Sequence, residues 1–166
     1  MPDTEEKAAA PGKRDRVFLV VVDDSAEREI SLRYAALRAR KGGGRVALLR
    51  VIEPLGQIEW AGVGAMMQEE AREDAEKLLS GLATRVQEIT GGLPILLIRE
   101  GDPRDQLLAL VEEDPRISIL VLAAAAGGSG PGPLISALTG RYAHRLRVPM
   151  TIVPGNLDDK ELDRVT

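Results

Sequence analysis

The sequence contains no cysteine and only one histidine, His144. Disulfides, thiolate nucleophiles and cysteine-based metal sites are excluded from the start. His144 stands beside Arg145 and near Arg147, with no carboxylates spaced to complete a metal centre, so it reads as a surface or half-buried residue. Aromatic residues are almost as scarce: Phe18, Tyr34, Trp60 and Tyr142 are the four in 166 residues. The core must therefore be built from Leu, Ile, Val and Ala. No apolar run approaches the roughly 18 residues of a membrane span, and no signal-peptide pattern opens the chain. A basic arm is missing too. The net charge is -4, and groups such as Lys13, Arg14 and Arg16 are scattered rather than massed, which leaves no footprint for nucleic acid. The expectation is a cytoplasmic protein with neither nucleic acid nor membrane as partner.

What is present is enough for one domain, since 44% of the residues are apolar and the length suits a single core. Residues 1–13, MPDTEEKAAAPGK, are polar and show no apolar period, and read as a disordered arm. The domain spans 14–155. Residues 156–166 read as a polar tail, in which DDKELDRV makes at most a short helical turn with little to pack against.

Inside the domain the pattern alternates. VFLVVVD (17–23), RVALLRV (45–51), LPILLI (93–98), ISILVLA (117–123) and PMTIV (149–153) are continuous apolar runs, as expected of strands buried on both faces. Helical stretches separate them at about 27–41, 66–90, 104–113 and 134–145. The second has the clearest 3.6-residue period, through Ala71, Ala75, Leu78, Leu82, Val86 and Ile89. Asp102-Pro103 is a sound start for the third, with Asp as cap and Pro at the first helical position. Five strands alternating with four helices predict an open parallel α/β sheet with right-handed crossovers. EPLGQIEWAGVGA (53–65) reads as an extended loop able to lie over a ligand.

In such sheets ligands bind outside the carboxyl ends of the strands, where the strand order reverses. Three segments fall there: Asp23-Asp24-Ser25 after the first strand, Val51 to Pro54 after the second, and GGSGPGPLISALTGR (127–141) after the fourth. Asp23 suits either hydrogen bonding to a ribose or base, or a local role, with Asp24 or Ser25 capping the following helix. The glycine-rich stretch lacks the GxxxxGK[ST] of a P-loop, and DDSAER lacks the GxGxxG of a dinucleotide fold. Its glycines allow backbone N–H groups to converge on an anion, while its prolines remove donors, so anion cradle and plain linker both remain open. Asp23 and Asp24 have neither nucleophile nor metal cluster beside them, and no general base stands out, so an enzyme is not indicated beyond slow hydrolysis of a bound ligand.

These segments together resemble the universal stress protein family over about residues 16–154, through VVVDDSAERE, VALLRVIEP, REGDPRDQLLALV and LRVPMTIVP. The resemblance implies a five-stranded parallel sheet in the order 3-2-1-4-5 with helices on both faces. It also implies a homodimer through the last strand, about Pro149–Val153, which agrees with the need to protect a sheet edge. Members that bind ATP carry G-x-x-G, nine residues, then G-[ST]. Gly127, Gly130 and Gly140 match that spacing, while Arg141 stands in place of the hydroxyl. Arg141 either pairs with a phosphate or points into solvent. AAAA (123–126) lengthens the turn before the first glycine. By the same resemblance Asp23, with Ser25 beside it, would contact the ribose or adenine. Val51 would offer its backbone to the adenine, and the three glycines would line the phosphates. Asp24 replaces a small residue and calls for Mg²⁺ or Arg141 to offset its charge. The implied function is a dimeric stress-response module binding ATP between the first and fourth strands. The alternative is a member without nucleotide that works through protein interactions.

Overall fold

The computed structural model describes residues 15–56 and 62–166. The expected arm at 1–13 and the middle of the 53–65 loop, including Trp60, lie outside the described residues. The elements run β1 (Val17–Val21), α1 (Arg28–Gly42), β2 (Arg45–Ile52), α2 (Val63–Thr90), β3 (Ile95–Glu100), α3 (Pro103–Glu113), β4 (Ile117–Ala124), α4 (Pro133–Thr139), a 3₁₀ turn (Ala143–Arg145), β5 (Met150–Pro154) and α5 (Asp159–Val165).

The five strands form one parallel sheet in the order β3-β2-β1-β4-β5. Alternate residues of the buried runs feed two cores. Phe18, Val20, Val46 and Leu48 pack with α1, α2 and α5 on one face. Val17, Leu19, Ala47 and Leu49 pack with α3 and α4 on the other. Both faces need apolar cover, which is why the strands show no polar alternation. Strand order reverses between β1 and β4, as the sequence pattern predicts for a doubly wound sheet.

Two elements differ from the sequence reading. The fourth helix does not run through to 145, because Gly140 departs from helical backbone at φ -104°, ψ -112°. A Cβ at Gly140 would stand 2.9 Å from the Ser136 carbonyl oxygen, so only glycine takes this turn without a shift. The C-terminal segment does pack, contrary to expectation. Asp158 caps α5 in a reciprocal box with Glu161, at 2.8 and 2.9 Å, the arrangement that satisfies two orphan N–H groups at once. Leu162 is 1% exposed against the α1 face, and Arg33 pairs with Asp159 at 3.0 Å.

Candidate functional site

The carboxyl edge of the sheet carries three adjoining cavities. The largest, about 460 Å³, lies over the ends of β1 and β2, and α2 supplies one wall through Ala71, Asp74, Ala75 and Leu78. A second, of about 70 Å³, lies between β1 and β4 and is lined by Ser25, Arg28 and Ser31 together with the Pro131–Pro133 stretch. The third, about 270 Å³, lies between the starts of α3 and α4, bounded by Glu53, Asp102, Pro103, Arg104, Pro133 and Leu134. The first two share Val21 and Asp23, and the first and third share Glu53 and Pro103. A crevice therefore crosses the edge from the α2 face to the α3 face. Only the largest cavity falls within the usual size range of small-molecule sites. The space between β1 and β4, about 70 Å³, falls well below that range.

Asp23 sits at the junction. Its Oδ1 accepts from the Ser25 amide at 2.9 Å and from Ser25 Oγ at 2.6 Å, which folds the chain sharply out of β1. Ser25 is thus engaged with Asp23 rather than capping α1; Glu27 occupies the cap position and makes no side-chain cap bond. Glu27 instead reaches across the sheet edge and accepts from the Ala126 amide at 3.2 Å. That bond, from the first residues of the loop after β4, holds the Glu27 carboxyl below its usual range. Gly155 makes the crossing fit, since a Cβ there would stand 2.2 Å from the Ala124 carbonyl oxygen and 2.6 Å from Glu27 Cγ.

Val51 lines the large cavity with Asp23, so two of the expected residues come together there. Gly127, Gly130, Gly140 and Arg141 are exposed and lie outside the linings of all three cavities. The guanidinium carbon of Arg141 stands 6.0 Å from the centre of the Tyr142 ring.

Two residues went unnoticed in the sequence. Arg50, inside the β2 run, pairs with Asp24 at 2.9 Å and donates to the Val22 carbonyl at 3.2 Å. Arg28 donates to the Asp23 carbonyl at 3.2 Å and lines the small cavity. The one legible signal for Arg50 is a cation near the carboxyl end of an otherwise apolar strand, opposite an acidic pair. With Arg50 in place, the second acid after β1 is already compensated without Mg²⁺ or Arg141. Among the described residues no group of three or more His, Cys, Asp or Glu side chains is placed to hold a metal ion. Bound Mg²⁺ would therefore depend on oxygens brought by a ligand. None of the described helices is long and apolar enough to cross a membrane.

The sequence profile of the universal stress protein family matches residues 16–154. Among solved structures, the universal stress protein UspA of Lactobacillus plantarum superposes with a TM-score of 0.70 at 16% identity, covering 86% of this chain and 99% of that one. A universal stress protein solved in complex with cAMP gives 0.62 at 16% identity, covering 85% and 98%. A family protein of Arabidopsis thaliana with AMP bound gives 0.56 at 16% identity, covering 87% and 94%. No curated protein matches the sequence. Likeness at these identities establishes the fold.

Proposed function

The chain belongs to the universal stress protein family, and we propose that it binds an adenine nucleotide, ATP by the glycine spacing, in the crevice at the carboxyl edge of the sheet. The observation that carries this reading is the meeting of Asp23 and Val51 in one cavity of about 460 Å³. The side chain of one and the backbone of the other supply the acceptor and donor that a nucleoside needs, against an apolar wall. Relatives of the same fold were solved with cAMP and with AMP, which supports an adenine ligand. The base and ribose belong over β1 and β2 rather than in the narrow space between β1 and β4.

The protein then acts as a cytoplasmic, homodimeric stress-response module. Its β5 edge, with Ile152 40% exposed, pairs with a second copy. Chemistry is not required by this reading. Titration calorimetry of nucleotide-free protein with adenosine, AMP, cAMP and ATP, with and without Mg²⁺, tests it. Binding weakened by Asp23→Ala supports the site. No heat from any of the four sinks it and leaves the protein-interaction reading, which draws on the exposure of Gly127 and Gly130 outside the crevice.

A further inference from the structure

The sheet has two outer edges, and the one at β3 is built differently from the one at β5. No strand pairs with β3 on the side away from β2 among the described residues. Alternate backbone N–H and C=O groups of Ile95–Glu100 therefore face outward. Natural sheets usually guard such a row with charge. Ile95, Leu96, Leu97 and Ile98 carry none, and the charges that follow, Arg99 and Glu100, are engaged with Glu113 and Arg72. Apolar surface is left open here too: Leu96 is 42% exposed and Leu93, just before the strand, 62%.

Beside this edge runs a groove of about 270 Å³, walled by Leu96 and Ile98 of β3 and by Arg72, Glu76, Leu79 and Ser80 of α2. The four α2 positions follow the helical repeat and share one face. Leu79, Leu96 and Ile98 make the apolar part of the groove, and Arg72 and Glu76 its charged rim. The charge around that rim is unbalanced. Arg72 is paired with Glu100 at 3.0 Å. Glu76, and Glu69 and Glu73 within two turns before it on α2, have no ion pair among the described residues, and Lys77 is the one unpaired cation in that stretch.

We propose that the β3 edge and this groove together form a docking site for an extended segment of another protein, added to the sheet as a sixth strand. Strand addition takes affinity from the backbone ladder and selectivity from pockets for alternate side chains, and β3 offers both in one place. The groove takes an apolar side chain of the segment, and the acidic rim selects a segment with lysine or arginine beside it. Symmetry argues against a second copy as the occupant. Two copies paired through β5, the dimer proposed above, leave a β3 edge at each end of the joined sheet. Two-fold pairing through β3 as well would link dimers into an endless ribbon, whereas a partner segment closes each end. The groove shares no lining residue with the three cavities at the carboxyl edge, so this surface does not depend on the nucleotide reading.

The test uses full-length protein and a fluorescently labelled eight-residue peptide, in which valine alternates with threonine between a lysine at each end. Anisotropy should show saturable binding to wild type. The same peptide with prolines in place of two threonines, which removes ladder donors, should not bind. Leu96→Lys puts a like charge into the groove and should lower the affinity roughly tenfold. Glu76→Gln should lower it about threefold at low salt, with the difference closing at moderate salt. Both positions are exposed, so both variants should keep the wild-type circular dichroism spectrum. Equal binding of the two peptides, equal binding by wild type and Leu96→Lys, or no binding of the first peptide overturns the proposal. So does light scattering in which Leu96→Lys, but not Ile152→Lys, turns a dimer into a monomer, since the β3 edge would then belong to a second copy. A wild type that is monomeric and binds the first peptide alone upholds the docking site and removes only the dimer.

Discussion

Arg50 Nη2 lies 2.9 Å from Asp24 Oδ1 in the lining of the cavity over β1 and β2, joining the end of β2 to the acidic pair that closes β1. Asp24 is 86% exposed and Arg50 22% exposed at the side chain. A pair so open to water contributes little to stability. Its weight is in the field it sets at the crevice, where the guanidinium cancels one of four nearby carboxylates.

Removing that carboxylate should therefore change ligand preference before stability. A unit charge some 8 Å from a phosphate is worth about 1 kcal/mol at an effective dielectric near 40. Asp24→Asn should tighten ATP roughly fivefold and leave adenosine unchanged, while Arg50→Met should weaken ATP by a similar factor. Calorimetric titration of both variants decides the matter. Equal shifts for ATP and adenosine would mean that the pair acts by shaping the cavity rather than through charge.

Asp23 carries two duties that substitution can separate. Its Oδ1 holds the turn through Ser25, and the same side chain lines both adjoining cavities. Asp23→Asn keeps an acceptor for the turn but loses the charge; Asp23→Ala loses both. Adenosine affinity should fall about threefold for the first and at least tenfold for the second. Unchanged affinity in Asp23→Ala would remove Asp23 from the site.

Asp23 stands out in the sequence for a physical reason: it closes the first buried run, where apolar residues give way to polar ones. Val51 lies within β2, and its role is read through the family resemblance. The sheet order follows from the same regularity, read through the family resemblance. Other features depend on partners that no local pattern reveals. Gly140 sits in a stretch with helical spacing, and only the approach to the Ser136 carbonyl shows that the helix must break. Arg50 looks like an interruption in RVALLRV until Asp24, 26 residues away, is placed opposite it.

The start of α3 offers a pH test. Asp102 is lowered from 3.8 to about 2, first by the Arg104 guanidinium and then by the backbone N–H groups of Asp105 and Arg104. The folded state thus holds its proton less tightly than the unfolded state. The stabilisation is present in full above about pH 5, and is lost as pH falls through 3.8 toward 2. The side chain is 36% exposed, so solvent screening reduces the effect to about 1 kcal/mol. Asp102→Asn retains a good cap and isolates the charge. Urea unfolding should show wild type more stable than Asp102→Asn at pH 7, with the gap narrowing at pH 3. A gap of the same size at both pH values would count against the charged cap.

In the sequence the C-terminal segment reads as a polar tail whose DDKELDRV turn has little to pack against. Its surface is supplied by α1, more than 100 residues earlier. Lys41 Nζ donates to the Asp163 carbonyl and to Thr166 Oγ1, both at 3.0 Å. Leu162→Ala should cost about 2–3 kcal/mol, the lower part of the range for buried leucine, because a seven-residue helix can undock before the core opens. Denaturant unfolding measures the cost. A loss below about 0.5 kcal/mol would mean that α5 is not docked in solution.

The outer edge of β5 tests the dimer. β5 pairs with β4 through Met150 to Pro154, and on the other side its backbone faces no further strand among the described residues. An unpaired edge with an exposed Ile152 invites another strand, and natural sheets usually guard such an edge with charge or cover it. Here β5 itself carries no charged residue. A lysine at the centre of a two-fold interface would stand close to its own copy, unpaired and partly desolvated, at a cost sufficient to separate a dimer of modest area. Ile152→Lys should therefore convert the protein from dimer to monomer in light scattering, with the monomer still folded by circular dichroism. Because Ile152 lines none of the three cavities at the carboxyl edge, adenosine binding should survive in the monomer if the cavity is complete within one chain. A wild-type protein that scatters as a monomer would instead leave the β5 edge free and remove the dimer from the proposed function.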